Sequence, residues 1–161
     1  MSDGLRATLE AEVVRFSLLA AAAAKGEARP LALGWATVDL ERASATLAEA
    51  LPGAGPFIDA QPTAALGGRC LVGPSGLRTV PTLVLLEPST EGRLAAALAR
   101  FGEGPVAAWF EVPVGRSALS PSGPLGRALS GPLGPERLLS GEPVHGPHLL
   151  VLSGPAGTIG R

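Results

Sequence analysis

The spacing of hydrophobic residues changes along the chain from a helical repeat to short continuous runs. Residues 3–25 carry apolar side chains three or four positions apart and end before Gly26, which suits a C-cap, so the pattern predicts a helix. The apolar positions of this helix are Leu5, Leu9, Val13 and Phe16. The run 31–38 is short, mostly apolar and bounded by Pro30 and Asp39, which is typical of a buried strand.

Similar patterns continue to the end of the chain. Asp39 suits the N-cap of a helix over 40–51, and three strand-like pieces separated by Gly and Pro follow it. A third helix is predicted from Ser89 or Thr90 to a stop at Gly102. The strands predicted after residue 51 are 57–60, 68–72, 79–86, 106–112 and 149–152. From the first strand, the order is therefore strand, helix and three strands, and a crossover helix then leads into a new strand.

Three consecutive pieces of sequence carry a family resemblance. They are 83–88 (LVLLEP), 98–104 (LARFGEG) and 106–112 (VAAWFEV). Together with the element order, they are similar to the stretch that joins the two modules of methylmalonyl-CoA epimerases and their relatives in the vicinal oxygen chelate superfamily. The resemblance covers 31–112, is thin over 135–160 and is absent from 1–30. It implies an α+β fold with one good βαβββ module, a degenerate, shortened second module and an extra N-terminal helix.

Glycine and proline are concentrated in the last third of the chain. They occupy 16 of the 46 residues from 116 to 161, against 22 of the 115 residues before them. Such a composition favours turns and irregular chain, so residues 116–147 are predicted to be mostly irregular. We divide the chain into an N-terminal helix (1–30), the βαβββ module with its crossover (31–112) and a degenerate second module (113–161). A shortened second module leaves an open sheet edge, for which a homodimer is the natural remedy.

The resemblance also implies where a divalent metal would bind. Metal-binding relatives have His near the start of the first strand, Glu or Gln on the strand before Leu-Leu-Glu-Pro, His after the Gly-Glu-Gly turn and a carboxylate on the last strand. Here the first three positions read Ala32 (or its neighbours Leu33 and Gly34), Val84, and Ala107 (or Val106). The chain ends about where the last strand would begin. Because hard divalent ions take oxygen or imidazole ligands, we expect the fold without a metal or other cofactor.

Charge and cysteine content narrow the classes of partner. The chain has 13 basic and 14 acidic residues, so neither nucleic acid nor a membrane surface is an expected partner. Cys70 is the single cysteine, which favours a cytoplasmic location.

His145 and His148 have Gly-Pro between them and make a weak metal site. The apolar stretch 16–24 follows two glutamates and is too short to span a bilayer, so no targeting or membrane segment is expected.

Strand alternation selects candidate residues on the concave sheet surface that the resemblance implies. If Ala107 faces that surface, as the ligand it replaces does, then Trp109 and Glu111 face it too, and Gly34 lines the opposite wall. A carboxylate beside an indole in an apolar trough suits acid–base chemistry, which makes Glu111 the catalytic candidate. The alternatives are a solvated Glu111 at the strand end and an indole that belongs to the core.

Three polar side chains near the module's middle strands have simpler interpretations. Arg69 is the candidate to hold an anionic substrate, because a guanidinium grips a carboxylate with two bonds; a surface arginine is the alternative. Cys70 faces the other side and is interpreted as a small buried hydrophobe. Glu87 points away from Val84, which favours a structural role in a turn.

Two functions from different classes fit these residues. The first is a metal-independent isomerase, epimerase or lyase that acts by acid–base chemistry on a small carbonyl or carboxylate compound, with Glu111 as base and Arg69 steadying charge. The second is a small-molecule-binding protein of the antibiotic-sequestration kind, with Trp109 stacking on the ligand and Gly34, Val84 and Ala107 around it. A third hypothesis is a degenerate domain that serves only as a dimer partner. Whether the protein is catalytic stays open at this point.

Overall fold

The computed structural model describes residues 2–24, 26–111, 127–139 and 147–152. Its helices are α1 (Ser2–Ala24), α2 (Leu40–Ala50) and α3 (Arg93–Phe101). Its strands are β1 (Arg29–Ala36), β2 (Ile58–Thr63), β3 (Gly68–Pro74), β4 (Thr82–Pro88), β5 (Gly104–Glu111), β6 (Glu136–Leu138) and β7 (His148–Leu152). Among the described residues, no helix combines the length and apolarity needed to cross a membrane.

All seven strands join one mixed sheet in the order β2-β3-β4-β1-β5-β7-β6. In the first half, β4 is parallel to β1 and β3 is antiparallel to β4. The second half repeats this arrangement, because β7 is parallel to β5 and β6 is antiparallel to β7. The antiparallel pair β1–β5 joins the halves. The α+β class and the βαβββ order predicted from the sequence are confirmed.

One expectation about the second half is wrong. The chain does not end where the last strand would begin, because β7 already takes the place beside β5 that β4 takes beside β1. Five residues are enough for this strand, and four of them continue the apolar run that follows His148. The described part of 116–147 also holds the short strand β6, whereas its remaining residues lie outside the described ranges.

The two longest helices cover the same face of the sheet, which we call the helix face. α2 packs on β3 and β4, and α1 packs on β1 and β5. The α1 side chains buried here form one core cluster with Ala108, Phe110, Leu149 and Val151 of β5 and β7. The helix α1, which lies outside the family resemblance, therefore covers the second half of the sheet as α2 covers the first half.

The opposite face, which we call the inner face, carries a second apolar cluster. Its strand residues include Ala32, Val84, Ala107, Trp109 and Leu150. The helix α3 lies against them through Leu94 and Ala97, both fully buried. The inner face is therefore packed with the protein's own side chains.

The predicted start of the third helix is wrong by several residues. The helix α3 begins at Arg93 rather than at Ser89 or Thr90. The amide of Ser89 donates to Gly67 O and that of Leu94 donates to Leu66 O. These bonds hold 89–92 alongside the turn at 63–67, so this segment follows the turn before the helix begins.

A carboxylate in the Gly-Glu-Gly turn fixes the start of α2 to the start of β5. Glu103 accepts hydrogen bonds from Thr37 Oγ1 (2.8 Å), the Val38 amide (2.9 Å) and the Arg42 guanidinium (2.7 Å). The bond from Arg42 and those from the other donors lower the pKa of Glu103 to about 2. Asp39 caps α2 by accepting from the Arg42 amide at 3.0 Å, as its position in the sequence predicted.

We predict that α1 is an integral part of the fold. Phe16 is fully buried in the helix-face core, so Phe16→Ala should lower the free energy of unfolding by about 3–5 kcal/mol, measured by urea denaturation. Val38→Ala is the control, because Val38 is 63% exposed and its truncation should change the same quantity by less than about 0.5 kcal/mol. Equal effects of the two variants would contradict the assignment of α1 to the core.

Candidate functional site

Four of the residues selected from the sequence meet on the inner face. Gly34 of β1 pairs with Val84 on one side and with Ala107 on the other. A Cβ placed on Gly34 would lie 2.9 Å from Cζ3 of Trp109, so the absent side chain makes room for the indole. Trp109 is fully buried. The indole therefore packs within the inner-face cluster and is not an open stacking surface.

A buried carboxylate that the sequence did not reveal lies against this indole. Glu136, the first residue of β6, is fully buried. It accepts hydrogen bonds from Trp109 Nε1 at 2.8 Å and from Thr63 Oγ1 at 2.6 Å. Gly131 approaches the carboxylate so closely that any side chain there would displace it. Glu136 thus ties the segment 127–139 to strands from both halves of the sheet.

The protonation of Glu136 is set by its burial. Loss of water around the carboxyl raises its pKa above the ordinary value, and the hydrogen bonds from Thr63 and Trp109 offset part of this effect. Nearby Cys70 is buried as well, and desolvation raises the pKa of its thiol to about 12. A thiol with so high a pKa stays protonated at neutral pH, which agrees with a buried hydrophobe rather than a nucleophile.

His148 is a second buried titratable residue on this side of the sheet. It begins β7 and pairs with Ala107 in the parallel ladder. Because paired residues on neighbouring strands share a face, His148 lies on the inner-face side, where it is fully buried. His145 lies outside the described residues.

The structure separates Glu111 and Arg69 from the inner-face residues. Glu111 lies at the end of β5, where its half-exposed side chain is paired with Arg29. The carboxylate that touches Trp109 is therefore Glu136 and not Glu111, which lies at the last position of β5 and bonds to Arg29 instead. Arg69 is bonded to Glu87 Oε1 at 2.8 Å on the exposed surface, which also gives Glu87 its structural role.

The residues at the implied metal positions do not fit a divalent ion. Ala32, Val84 and Ala107 offer no donor atom, and Leu150 lies beside Trp109 on the last strand. Within the ranges that the structure describes, no group of three His, Cys, Asp or Glu side chains is placed to hold a metal.

Comparison with solved structures places this geometry in a known fold. The methylmalonyl-CoA epimerase of Mycobacterium tuberculosis superposes with a TM-score of 0.59 and 16% identity, over 81% of this chain and 91% of that one. A variant of the Streptomyces coelicolor methylmalonyl-CoA epimerase in complex with 2-nitronate-propionyl-CoA gives 0.57 and 21%, over 78% and 98%. A hypothetical protein from Bacillus halodurans C-125 gives 0.58 and 14%, over 77% and 92%.

The chain has the vicinal oxygen chelate fold. The agreement extends over nearly the whole length of these neighbours, so the second half of the sheet is part of the fold, although the sequence resemblance is thin there. No family model matches the chain, and no curated protein does. Within the vicinal oxygen chelate fold, this chain has apolar side chains at the positions where metal-binding relatives have ligands.

We predict that Glu136 makes stability depend on pH. A raised pKa means that the folded state binds this proton more tightly than the unfolded state does. Above the ordinary carboxyl pKa of about 4.5, the wild-type protein should therefore lose stability relative to Glu136→Gln, by up to about 1.4 kcal/mol per pH unit, until the raised pKa is passed.

Urea denaturation of both proteins between pH 4 and 8 measures this difference. The amide of Glu136→Gln keeps an acceptor for Trp109 and does not titrate, so the comparison isolates one proton. A difference in stability that stays constant over this range, or that moves in favour of the wild-type protein as the pH rises, would contradict the assignment.

Proposed function

We propose that the protein is an isomerase, epimerase or lyase, which moves a proton next to the carbonyl of a small carbonyl or carboxylate compound without a divalent metal. The observation that carries this proposal is the Glu136 carboxyl, fully buried against Trp109 and Thr63. The epimerases among the structural neighbours support the class of reaction, since they share the fold.

The surroundings of Glu136 suit a general acid–base group. Burial raises the pKa of the Glu136 carboxyl, which makes its carboxylate a stronger base than a solvated one. As a base, the carboxylate takes the proton from the substrate carbon, and the electron pair passes to the carbonyl oxygen as an enolate. Return of the proton by the Glu136 acid to the other face of the rotated enolate completes an epimerisation, and its return to a different atom completes an isomerisation. The indole N–H of Trp109 remains a donor to the carboxylate throughout and holds it in place.

Substrate reaches this carboxyl only when part of the segment 127–139 moves. The mobile part is 127–135, which lies before β6 and is joined to the turn after β2 by the Ala64 amide, which donates to Ser130 O at 3.0 Å. The strand β6 stays paired with β7 and keeps Glu136 in place. We therefore propose that this part opens for substrate and closes over it, which excludes water from the proton transfer.

Several residues selected from the sequence keep their predicted roles alongside Glu136. Glu111 stays the second candidate for the base, Arg69 stays the candidate to hold an anionic group, and a cytoplasmic location stays a prediction. Gly34, Val84, Ala107 and Trp109 would line the path of a substrate that enters the inner face. Binding without catalysis, the alternative function, would need the Trp109 indole to become exposed.

The proposal predicts proton exchange with solvent. In deuterium oxide, methylmalonyl-CoA and free methylmalonate serve as probes of the thioester and carboxylate classes, and mass spectrometry follows deuterium at the carbon between the two carbonyl groups. We expect the protein to accelerate exchange of at least one probe, with or without a chelator. Glu136→Gln should lower that rate about 100-fold or more, the usual contribution of a positioned acid–base group.

Three matched measurements distinguish the outcomes. Glu91→Gln, which removes an exposed carboxylate, should leave the rate unchanged. Loss of exchange in Glu111→Gln, with Glu136→Gln still active, would transfer the base to Glu111. Binding of a probe by the wild-type protein without exchange would favour the alternative function, and exchange that stops with the chelator would contradict metal independence.

A further inference from the structure

Helix α1 is apolar on two sides. One side packs into the helix-face core through Leu9, Val13 and Phe16. The other side exposes Val14 (52%) and Leu18 (68%). The apolar or small residues of this outer side lie three and four positions apart, and we call them the outer stripe: Gly4, Ala7, Ala11, Val14, Leu18 and Ala21. This spacing is that of a coiled-coil seam, in which a helix packs along a second helix.

The sizes of the stripe residues select the direction of that second helix. The first half of the stripe is small, and the second half contains both large residues. Consider two antiparallel copies of α1 in which the numbers of facing residues sum to 25. In this register, Ala7 lies against Leu18 and Ala11 lies against Val14. Gly4 then meets Ala21. Every layer pairs a small residue with a larger one, whereas a parallel pair would stack Leu18 on Leu18 and leave a gap at Gly4.

We propose that the outer stripe is the contact between two copies of this chain, with α1 of one copy packed antiparallel on α1 of the other. This proposal is independent of the proposed function, since no residue of the stripe lies on the inner face. It goes beyond the dimer expected from an open sheet edge, because it assigns the surface, the direction and the register.

The charges on α1 favour the same direction. Residues 3–12 carry Asp3, Arg6, Glu10 and Glu12, a net charge of −2, whereas residues 13–24 carry Arg15, a net charge of +1. An antiparallel pair places each acidic half beside the basic half of the other copy. It also places the two helix macrodipoles in opposition, which favours the arrangement by a further small amount.

A cavity beside the stripe enlarges the surface available to the second copy. It has a volume of about 610 Å³ and lies between α1 and the start of β1, where Val14, Leu18, Ala21 and Pro30 line it. An exposed apolar patch of this kind, rimmed by charged residues such as Glu27 and Arg29, marks an interaction surface rather than ordinary protein surface. A second α1 helix covers both the stripe and the mouth of this cavity.

The strand β2, one of the two edge strands of the sheet, is a poorer contact surface. β2 contains Asp59 and Pro62, and a charged residue and a proline are the usual protection of an edge strand against pairing. Ile58 of the same strand is 68% exposed, the same fraction as Leu18. This equality provides a matched control for the experiment.

The first experiment measures oligomeric state by sedimentation velocity over a range of protein concentrations. The wild-type protein should be a dimer, and Leu18→Glu should raise the dissociation constant at least 100-fold, with its circular dichroism unchanged because the site is on the surface. Ile58→Glu should stay dimeric. A monomeric wild-type protein, or a dimer lost in Ile58→Glu and kept in Leu18→Glu, would overturn the proposal.

The second experiment tests direction and register by disulfide cross-linking. Ala7→Cys and Leu18→Cys are prepared separately and then mixed and oxidised, with the wild-type protein as the background for Cys70. Cross-linked dimers should form in the mixture and not in either variant alone. Cross-links in each variant alone would show a parallel pair, and no cross-link in any sample would exclude contact at these positions; either result overturns the antiparallel register.

Discussion

The antiparallel pairing of β1 with β5 is the contact on which the rest of the structure depends. It joins two halves of unequal length into one sheet. The residues along this seam on the inner face are small, with Ala32 and Gly34 on β1 and Ala107 on β5. Their size leaves the space that the Trp109 indole fills, and the indole in turn gives Glu136 a partner inside the protein. The buried carboxylate thus depends on the absence of bulk at the seam.

Glu103 and Glu136 have pKa values that are shifted in opposite directions. Glu103 lies at the surface and receives three donors, and its pKa falls to about 2 because those donors favour the charged form. Glu136 receives two side-chain donors but has lost its water, and its pKa rises. Both carboxylates join segments distant in sequence. Hydrogen-bond donors dominate the pKa of the first, and loss of water dominates the pKa of the second.

The parts of the fold that the sequence could predict are those with local signals. The cap at Asp39, the Leu-Leu-Glu-Pro strand and the Gly-Glu-Gly turn lie within a few residues of their partners or match a family motif, and the structure has them where expected. The start of α3 was missed because its delay comes from main-chain bonds to residues more than 20 positions earlier. The strand over 149–152 was predicted, but its place as the last strand was missed, because four apolar residues in a Gly/Pro-rich segment carry little signal.

The candidate site was harder to predict, because its polar contacts span long distances in sequence. Alternation along one strand correctly grouped Ala107 with Trp109, and pairing across β1 added Gly34 and Val84. Strand alternation could not identify Glu136, because its two side-chain partners are 73 and 27 residues away in the sequence. In the sequence, one acidic residue within a segment of turns cannot be distinguished from a solvent-exposed acidic residue. Predicting that Glu136 belongs to the site would have required knowing that β6 lies beside β7.

The position of α1 has a consequence for how the chain folds during synthesis. This helix is made first, yet part of its core partners, Ala108 and Phe110 of β5 and Leu149 of β7, are made last. At translation rates of about 5–20 residues per second, Phe16 waits on the order of 5–20 s before β5 emerges. During that interval, only the earlier partners of α1 in this cluster, such as Leu33 of β1, are available to it. The helix-face core around α1 is therefore completed only after β5 and β7 have been made.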